Sequence, residues 1–140
     1  MSGKLKENKQ AKFKKIFAAL KKILARHPAN FSAKFNTPDN YYVDTKAAVW
    51  KGKPLFFGAV QIKKNYVSFH LLPLYMCPEL LKGISPELKK RMQGKACFNF
   101  IEPDPKLFAE LDRLTEAGRE RWTSKEFFKR LAEKFDRAKS

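Results

Sequence analysis

An α+β fold with an antiparallel sheet is predicted by three observations on this 140-residue chain. Segments of strand character cluster in the middle, and segments with a helical apolar stripe sit at both ends. Residues 54–75 hold two apolar runs flanking Lys63-Lys64-Asn65, the pattern of a central β-hairpin on which the sheet is built. An N-terminal helix and two C-terminal helices are then required to cover it.

Residues 1–8 read as a flexible basic tail, and residues 9–138 as a single domain. From Lys9 to Arg26 the residues Phe13, Ile16, Phe17, Leu20, Ile23 and Leu24 recur at helical spacing, with Asn8 as candidate N-cap and Pro28 as stop. Two short strands, 31–35 and 41–44, flank the turn signal Thr37-Pro38-Asp39-Asn40. The chain then passes Trp50 into a bend at Gly52-Lys53-Pro54. After the central hairpin, Pro73 and Pro78 bracket an irregular segment, 74–77. Short helices are signalled at Pro78 and at Ser85-Pro86-Glu87, the second stopped by Gly94.

Residues 97–101 form a further strand, in which Phe98 and Phe100 alternate with Cys97 and Asn99. Asp104 with Pro105 opens a helix bearing Leu107, Phe108, Leu111 and Leu114, which Gly118 weakens toward its end. Thr123-Ser124-Lys125-Glu126 fits a capping box for a final helix with the stripe Phe127, Phe128, Leu131, Ala132 and Phe135.

The hairpin register decides which side chains share a face. A two-residue loop at Lys63-Lys64 sets Ile62 opposite Asn65, Val60 opposite Val67, Gly58 opposite Phe69 and Phe56 opposite Leu71. One face is then apolar, and the other carries Phe57, Ala59 and Gln61 with Tyr66, Ser68 and His70. A three-residue loop with Asn65 in a left-handed conformation slips the second strand by one and mixes the faces; the first register builds the cleaner core.

With 44% hydrophobic residues and 13 Phe, the chain can bury a core without disulfide or metal staples. No apolar run approaches membrane-spanning length and the N-terminus has no signal-peptide h-region, so a cytoplasmic protein without a membrane span is expected. Cys77 and Cys97 are too few for a disulfide framework and read as small buried hydrophobes. The charge is uneven: 30 Lys and Arg against 14 Asp and Glu leave +16, and half of that excess lies in the first 26 positions. An anionic partner, nucleic acid included, is one reading of this; a solvated lysine-rich helix face is the other.

Several ordered runs carry a resemblance: Asn40-Tyr41-Tyr42, residues 52–58 (GKPLFFG), 66–71 (YVSFHL), 84–95 (ISPELKKRMQGK) and Cys97-Phe98-Asn99-Phe100. Over residues 30–122 the chain resembles the YdhG-like family, domain of unknown function 1801. The resemblance implies a compact α+β domain, and distantly a frataxin-like fold linked to iron delivery. Frataxin-like iron binding relies on an acidic surface, which a strongly positive chain opposes.

His70 is the candidate centre of a pocket with Ser68, Tyr66, Tyr42, Trp50, Tyr75 and Phe57, where one titratable group among aromatics suits an anionic or planar ligand. Lys89, Lys90, Arg91 and Lys95, together with Lys12, Lys14, Lys15, Lys21 and Lys22 of the first helix, are candidate anion contacts that would form one basic rim if they share a side. No glycine phosphate loop, nucleophile elbow or HExxH motif is present, so neither catalytic residues nor a cofactor or metal site is expected. The reading is a noncatalytic module for a small or anionic ligand. Nucleic-acid association through the basic N-terminal helix is the alternative, and a frataxin-like iron chaperone the third.

Overall fold

Alternation decides which way each strand faces. Along β2 (Asn40–Thr45), Tyr41, Val43 and Thr45 are buried while Asn40, Tyr42 and Asp44 stay half-exposed. The same rule buries Val67, Phe69 and Leu71 on β4 (Val67–Leu71), and Phe98 and Phe100 on β6 (Cys97–Phe100). With β1 (Phe31–Thr37), β3 (Phe56–Ile62) and the short β5 (Met92–Gln93), they form a six-stranded antiparallel sheet in the order β1-β2-β3-β4-β6-β5. The structure, a computed structural model, describes residues 2–139 and the side chains of residues 8–137.

On one face Tyr41, Val60, Phe69 and Phe98 are successive cross-strand partners, and the helices cover this row. Helix α1 (Ser2–Leu24) lays Phe13, Ile16, Phe17, Leu20, Ile23 and Leu24 against β3 and β4. Each such side chain, once buried, contributes about 1.5–3 kcal/mol. Two short helices, α2 (Leu72–Met76) and α3 (Pro86–Lys89), precede α4 (Pro105–Trp122), whose Phe108 meets Phe100 edge-on at 5.1 Å. Helix α5 (Lys125–Lys139) completes the α+β architecture. No helix among the described residues is long and apolar enough to cross a membrane.

A buried arginine ties the two long helices together. Arg119 of α4 is 2% exposed. It donates to the Ile23 carbonyl near the end of α1, pairs with Glu116 at 2.8 Å, and stacks its guanidinium 5.8 Å from the Phe57 ring. Burial pulls its pKa down and Glu116 opposes that shift; a cation at the negative end of a helix is the favourable placement. Trp122, one turn on, donates its indole N–H to the Phe56 carbonyl at 2.9 Å.

Several sequence expectations are corrected. Helix α1 begins at Ser2, so it takes in residues 2–8 of the expected tail and Asn8 is interior to it; Met1 lies outside the described residues. The central hairpin turns at Lys64-Asn65, with Ile62 opposite Val67, Val60 opposite Phe69 and Gly58 opposite Leu71. This register is two residues from the favoured one, so residues 58–62 and 66–71 keep the faces expected while every pair differs. The observed slip matches Ile62 to a β-branched partner where the favoured one offered Asn65.

A bulge makes the larger change. Asp44 pairs with Phe56 but Val43 with Gly58, leaving Phe57 as the extra residue. The alternation inverts there, so Phe57 enters the core at 0% exposure and Phe56 turns to the open face.

Elsewhere, residues 72–76 are helical despite Pro73, which falls in the first turn where its missing N–H costs nothing. Helix α3 ends at Lys89, so Gly94 serves the β5–β6 turn. Gly118 lies well inside α4, where a Cβ would stand 3.1 Å from Pro73 side-chain atoms; it permits helix α2 to approach. Ser124, not Thr123, caps α5 by accepting from the Phe127 N–H, and Glu126 pairs with Arg130. Only the first half of the α5 stripe packs: Phe128 is buried, whereas Ala132 and Phe135 are exposed.

Candidate functional site

The uncovered face of the sheet carries two side-chain rows set by the strand register. Tyr42, Ala59, His70 and Cys97 are successive partners across β2, β3, β4 and β6, and Asn40, Gln61, Ser68 and Asn99 form the next row. Ala59, small and 5% exposed, makes a floor between Tyr42 and His70. Phe56, turned outward by the bulge, stacks on Tyr42 at 4.4 Å and leans on His70 at 5.4 Å. Phe35 closes the line edge-on to Tyr42 at 5.7 Å. The result is a groove of about 390 Å³ with a line of rings beside a row of amides and a hydroxyl, and Lys63, Tyr66 and Gln93 at its margins.

His70 Nδ1 lies 2.7 Å from Cys97 Sγ. Burial lowers the imidazole pKa. Burial also raises that of the thiol, against a smaller opposing pull from the Lys63 charge. Both groups are therefore neutral near pH 7, and the pair is a hydrogen bond, not the thiolate–imidazolium couple that nucleophilic catalysis uses. Tyr42 is held protonated by burial and by Asp44, so its hydroxyl remains a donor. Among the described residues the side chains of Ser68 and Asn99 have no protein partner, and Gln61 spends one N–H on Asn40 at 3.1 Å. The groove can stack a flat group and hydrogen-bond its edge.

The lowered His70 pKa makes stability depend on pH with a definite sign. The unfolded chain takes the proton more readily, at about 6.5, so stability rises with pH. The loss on acidification begins near 6.5 and is complete below the folded value. We expect proton NMR to place the His70 titration below 6.5, and His70→Gln to flatten the pH 5 to 7.5 difference in urea stability; a His70 titrating above 6.5 would contradict the burial.

Four of the sequence-derived candidates, His70, Ser68, Tyr66 and Tyr42, meet in this groove. Three do not. Phe57 is in the core, Trp50 packs edge-on to Phe135 at 5.5 Å, and Tyr75 is 56% exposed with Lys95 5.8 Å from its ring. Phe56, Gln61, Gln93, Cys97, Asn99 and Lys63 are lining residues that sequence reasoning left out of the site. Alternation had already set Cys97 and Asn99 opposite Phe98 and Phe100; the missing knowledge was that β6 pairs with β4. Cys97 is correspondingly half-exposed beside an imidazole, and only Cys77 is the expected buried hydrophobe.

The basic candidates do not close into one rim. Helix α1 packs on the helical face, where Lys12 pairs with Glu102 at 2.7 Å and Lys21 donates to Asn36 at 2.8 Å, while Lys14, Lys15 and Lys22 are exposed. Lys89, Lys90, Arg91 and Lys95 are exposed around β5 at the sheet edge.

No family model, curated protein or solved structure matches this chain. The site must therefore be judged on its own geometry. A larger cavity of about 610 Å³ lies between residues 45–49 and the start of α5. Its less exposed polar groups are engaged, the Trp122 indole by Phe56, the Thr45 hydroxyl by Ala47 and Leu55, and Ser124 by the helix it caps, which leaves only the exposed side chains of Asn30, Lys125 and Lys129. The open-face groove instead holds the half-buried side chains of Ser68 and Asn99 without a protein partner among the described residues, and that difference selects it. Among the described residues no three His, Cys, Asp or Glu side chains gather as a metal site would need.

Proposed function

We propose that this protein is a noncatalytic binding module of YdhG-like type that holds a planar, hydrogen-bonding ligand of the nucleobase class in its open-face groove. The observation that carries the reading is the line Phe35-Tyr42-Phe56-His70 running beside Gln61, Ser68 and Asn99, whose polar atoms lack sufficient protein partners. Rings recognise a flat π-face whatever its substituents; amides and a hydroxyl read its edge. Lys63 at the margin favours an anionic substituent such as phosphate. The iron-delivery reading finds only two soft donors here, His70 and Cys97, with no carboxylate lining the groove.

Titration with adenosine monophosphate is the test. We expect amide shift changes centred on Gln61, Ser68, His70 and Asn99, and Phe56→Ala or His70→Ala should weaken binding about tenfold, since stacking on one aromatic is worth about 1–3 kcal/mol. Saturation with no shift on β3, β4 or β6 would remove the groove as the site.

A further inference from the structure

Lys63 belongs to two depressions at once. It lines the aromatic groove, and it also lines an adjoining cleft of about 660 Å³ between the first part of α1 and the tips of both hairpins. Lys9, Lys14 and Lys64 line that cleft with it, alongside Phe13, Pro38 and Ile62. Lys9 reaches the Asn65 carboxamide at 3.3 Å, which holds the α1 flank against the hairpin tip. Among the described residues none of these four lysines is ion-paired to a carboxylate. The one acid in the cleft, Asp39, accepts a hydrogen bond from the Thr37 hydroxyl at 2.9 Å.

We infer that the groove and the lysine cleft form one continuous track for single-stranded nucleic acid, with bases stacked on the Tyr42-Phe56-His70 rings and the backbone leaving over Lys63 into the Lys9-Lys14-Lys64 cleft. This rests on the reading of the groove given above. A lone mononucleotide would occupy the groove and stop at Lys63, leaving the other three charges unused. A strand uses both depressions, and its repeated phosphates are the partner that four lysines without carboxylates complement. A duplex fits poorly, because its bases are stacked on each other and their edges are paired, whereas an open sheet with half-exposed rings accepts splayed bases. The net charge of +16 supplies the long-range attraction for such a partner.

The test uses the full chain with a labelled ten-nucleotide RNA, the DNA of the same sequence, the matching duplexes, and adenosine monophosphate. Single strands should bind at least a hundredfold tighter than the mononucleotide and at least tenfold tighter than the duplexes. The log-log salt slope should be about −2 to −3, as expected for roughly four phosphates at about 0.7 each. Lys9→Glu with Lys64→Glu, both at exposed positions, should cost single-strand binding at least tenfold and leave the mononucleotide within about twofold. The RNA and DNA arms identify the sugar, and preference for either supports the track. A single strand no tighter than the mononucleotide overturns the track and leaves the groove reading standing. Failure of both to bind overturns both. Duplex binding as tight as single-strand binding, and indifferent to Phe56→Ala, also overturns the track and assigns polyanion attraction to the outward lysines of α1.

Discussion

Gly58→Ala should lower the stability of this protein by about 2–3 kcal/mol, and Gly58→Val by about 4 kcal/mol or more, enough to leave little folded protein. A glycine inside a strand ordinarily costs about 0.5–1 kcal/mol relative to alanine, so the usual sign of the change is opposite. Here a Cβ would stand 2.9 Å from the His70 carbonyl oxygen on β4, 2.9 Å from Leu24 Cδ2 on α1, and 3.3 Å from Leu71 Cδ1. The first contact is backbone in the middle of the sheet and cannot swing aside. Relief requires β3 to move from β4 or α1 to lift, and either forfeits buried contacts. Urea denaturation reads the effect: with a slope of about 2 kcal/mol/M, Gly58→Ala should lose about 1 M of midpoint. An unchanged midpoint would mean that the strand and helix do not approach as closely as described. Because His70 is the residue pressed, its imidazole resonance should shift in the alanine variant even before the protein unfolds.

The second large effect is at Arg119. Arg119→Ala should cost about 3 kcal/mol or more. It removes a donor from the Ile23 carbonyl, deletes the stem packed on Phe57, and takes one partner from Glu116, a carboxylate that is 46% exposed and keeps the His27 imidazole at 3.3 Å. Arg119→Met separates these contributions, since it keeps an apolar stem of similar length and also removes the desolvation of the guanidinium, whose Nε finds no partner among the described residues. Methionine should therefore recover part of the loss. Thermal melts should show Arg119→Ala roughly 10 °C below the parent, with Arg119→Met between them. Equal melting of all three proteins would deny the arginine its role in joining α1 to α4.

The parts of this fold that were legible in the sequence are those written locally. The α1 stripe, the Asp104-Pro105 start of α4 and the existence of both hairpins depend on residues within a few positions of each other, and each is present where periodicity and cap chemistry place it, although the register of the central hairpin is two residues from the favoured one. What escaped depends on partners far along the chain. Pairing of β6 with β4 joins segments separated by helices, so Cys97 and Asn99 could be assigned a face but no neighbours. Helix α2 was hidden because two prolines read as breakers, although the first falls where a helix tolerates it. The candidate site divides the same way: Tyr66, Ser68 and His70 share one stretch, and Tyr42 follows from its alternation. Trp50 and Tyr75 were grouped with them only as nearby aromatics, and their side chains serve other surfaces.

Phe56 and Phe57 are consecutive rings that answer to different surroundings. Phe57 sits 4.5 Å from Phe31 beneath the arginine, whereas Phe56 sets the spacing of Tyr42 and His70 outside. Drift in core volume under Phe57 is thus transmitted through one peptide bond to the width of the groove, and natural variation at the two positions should be correlated. Gln61, Ser68 and Asn99 are under no such obligation, since their side chains point away from the packed layer. Over generations, descendants of this chain can exchange these polar side chains freely, while the line of rings is inherited along with the interior.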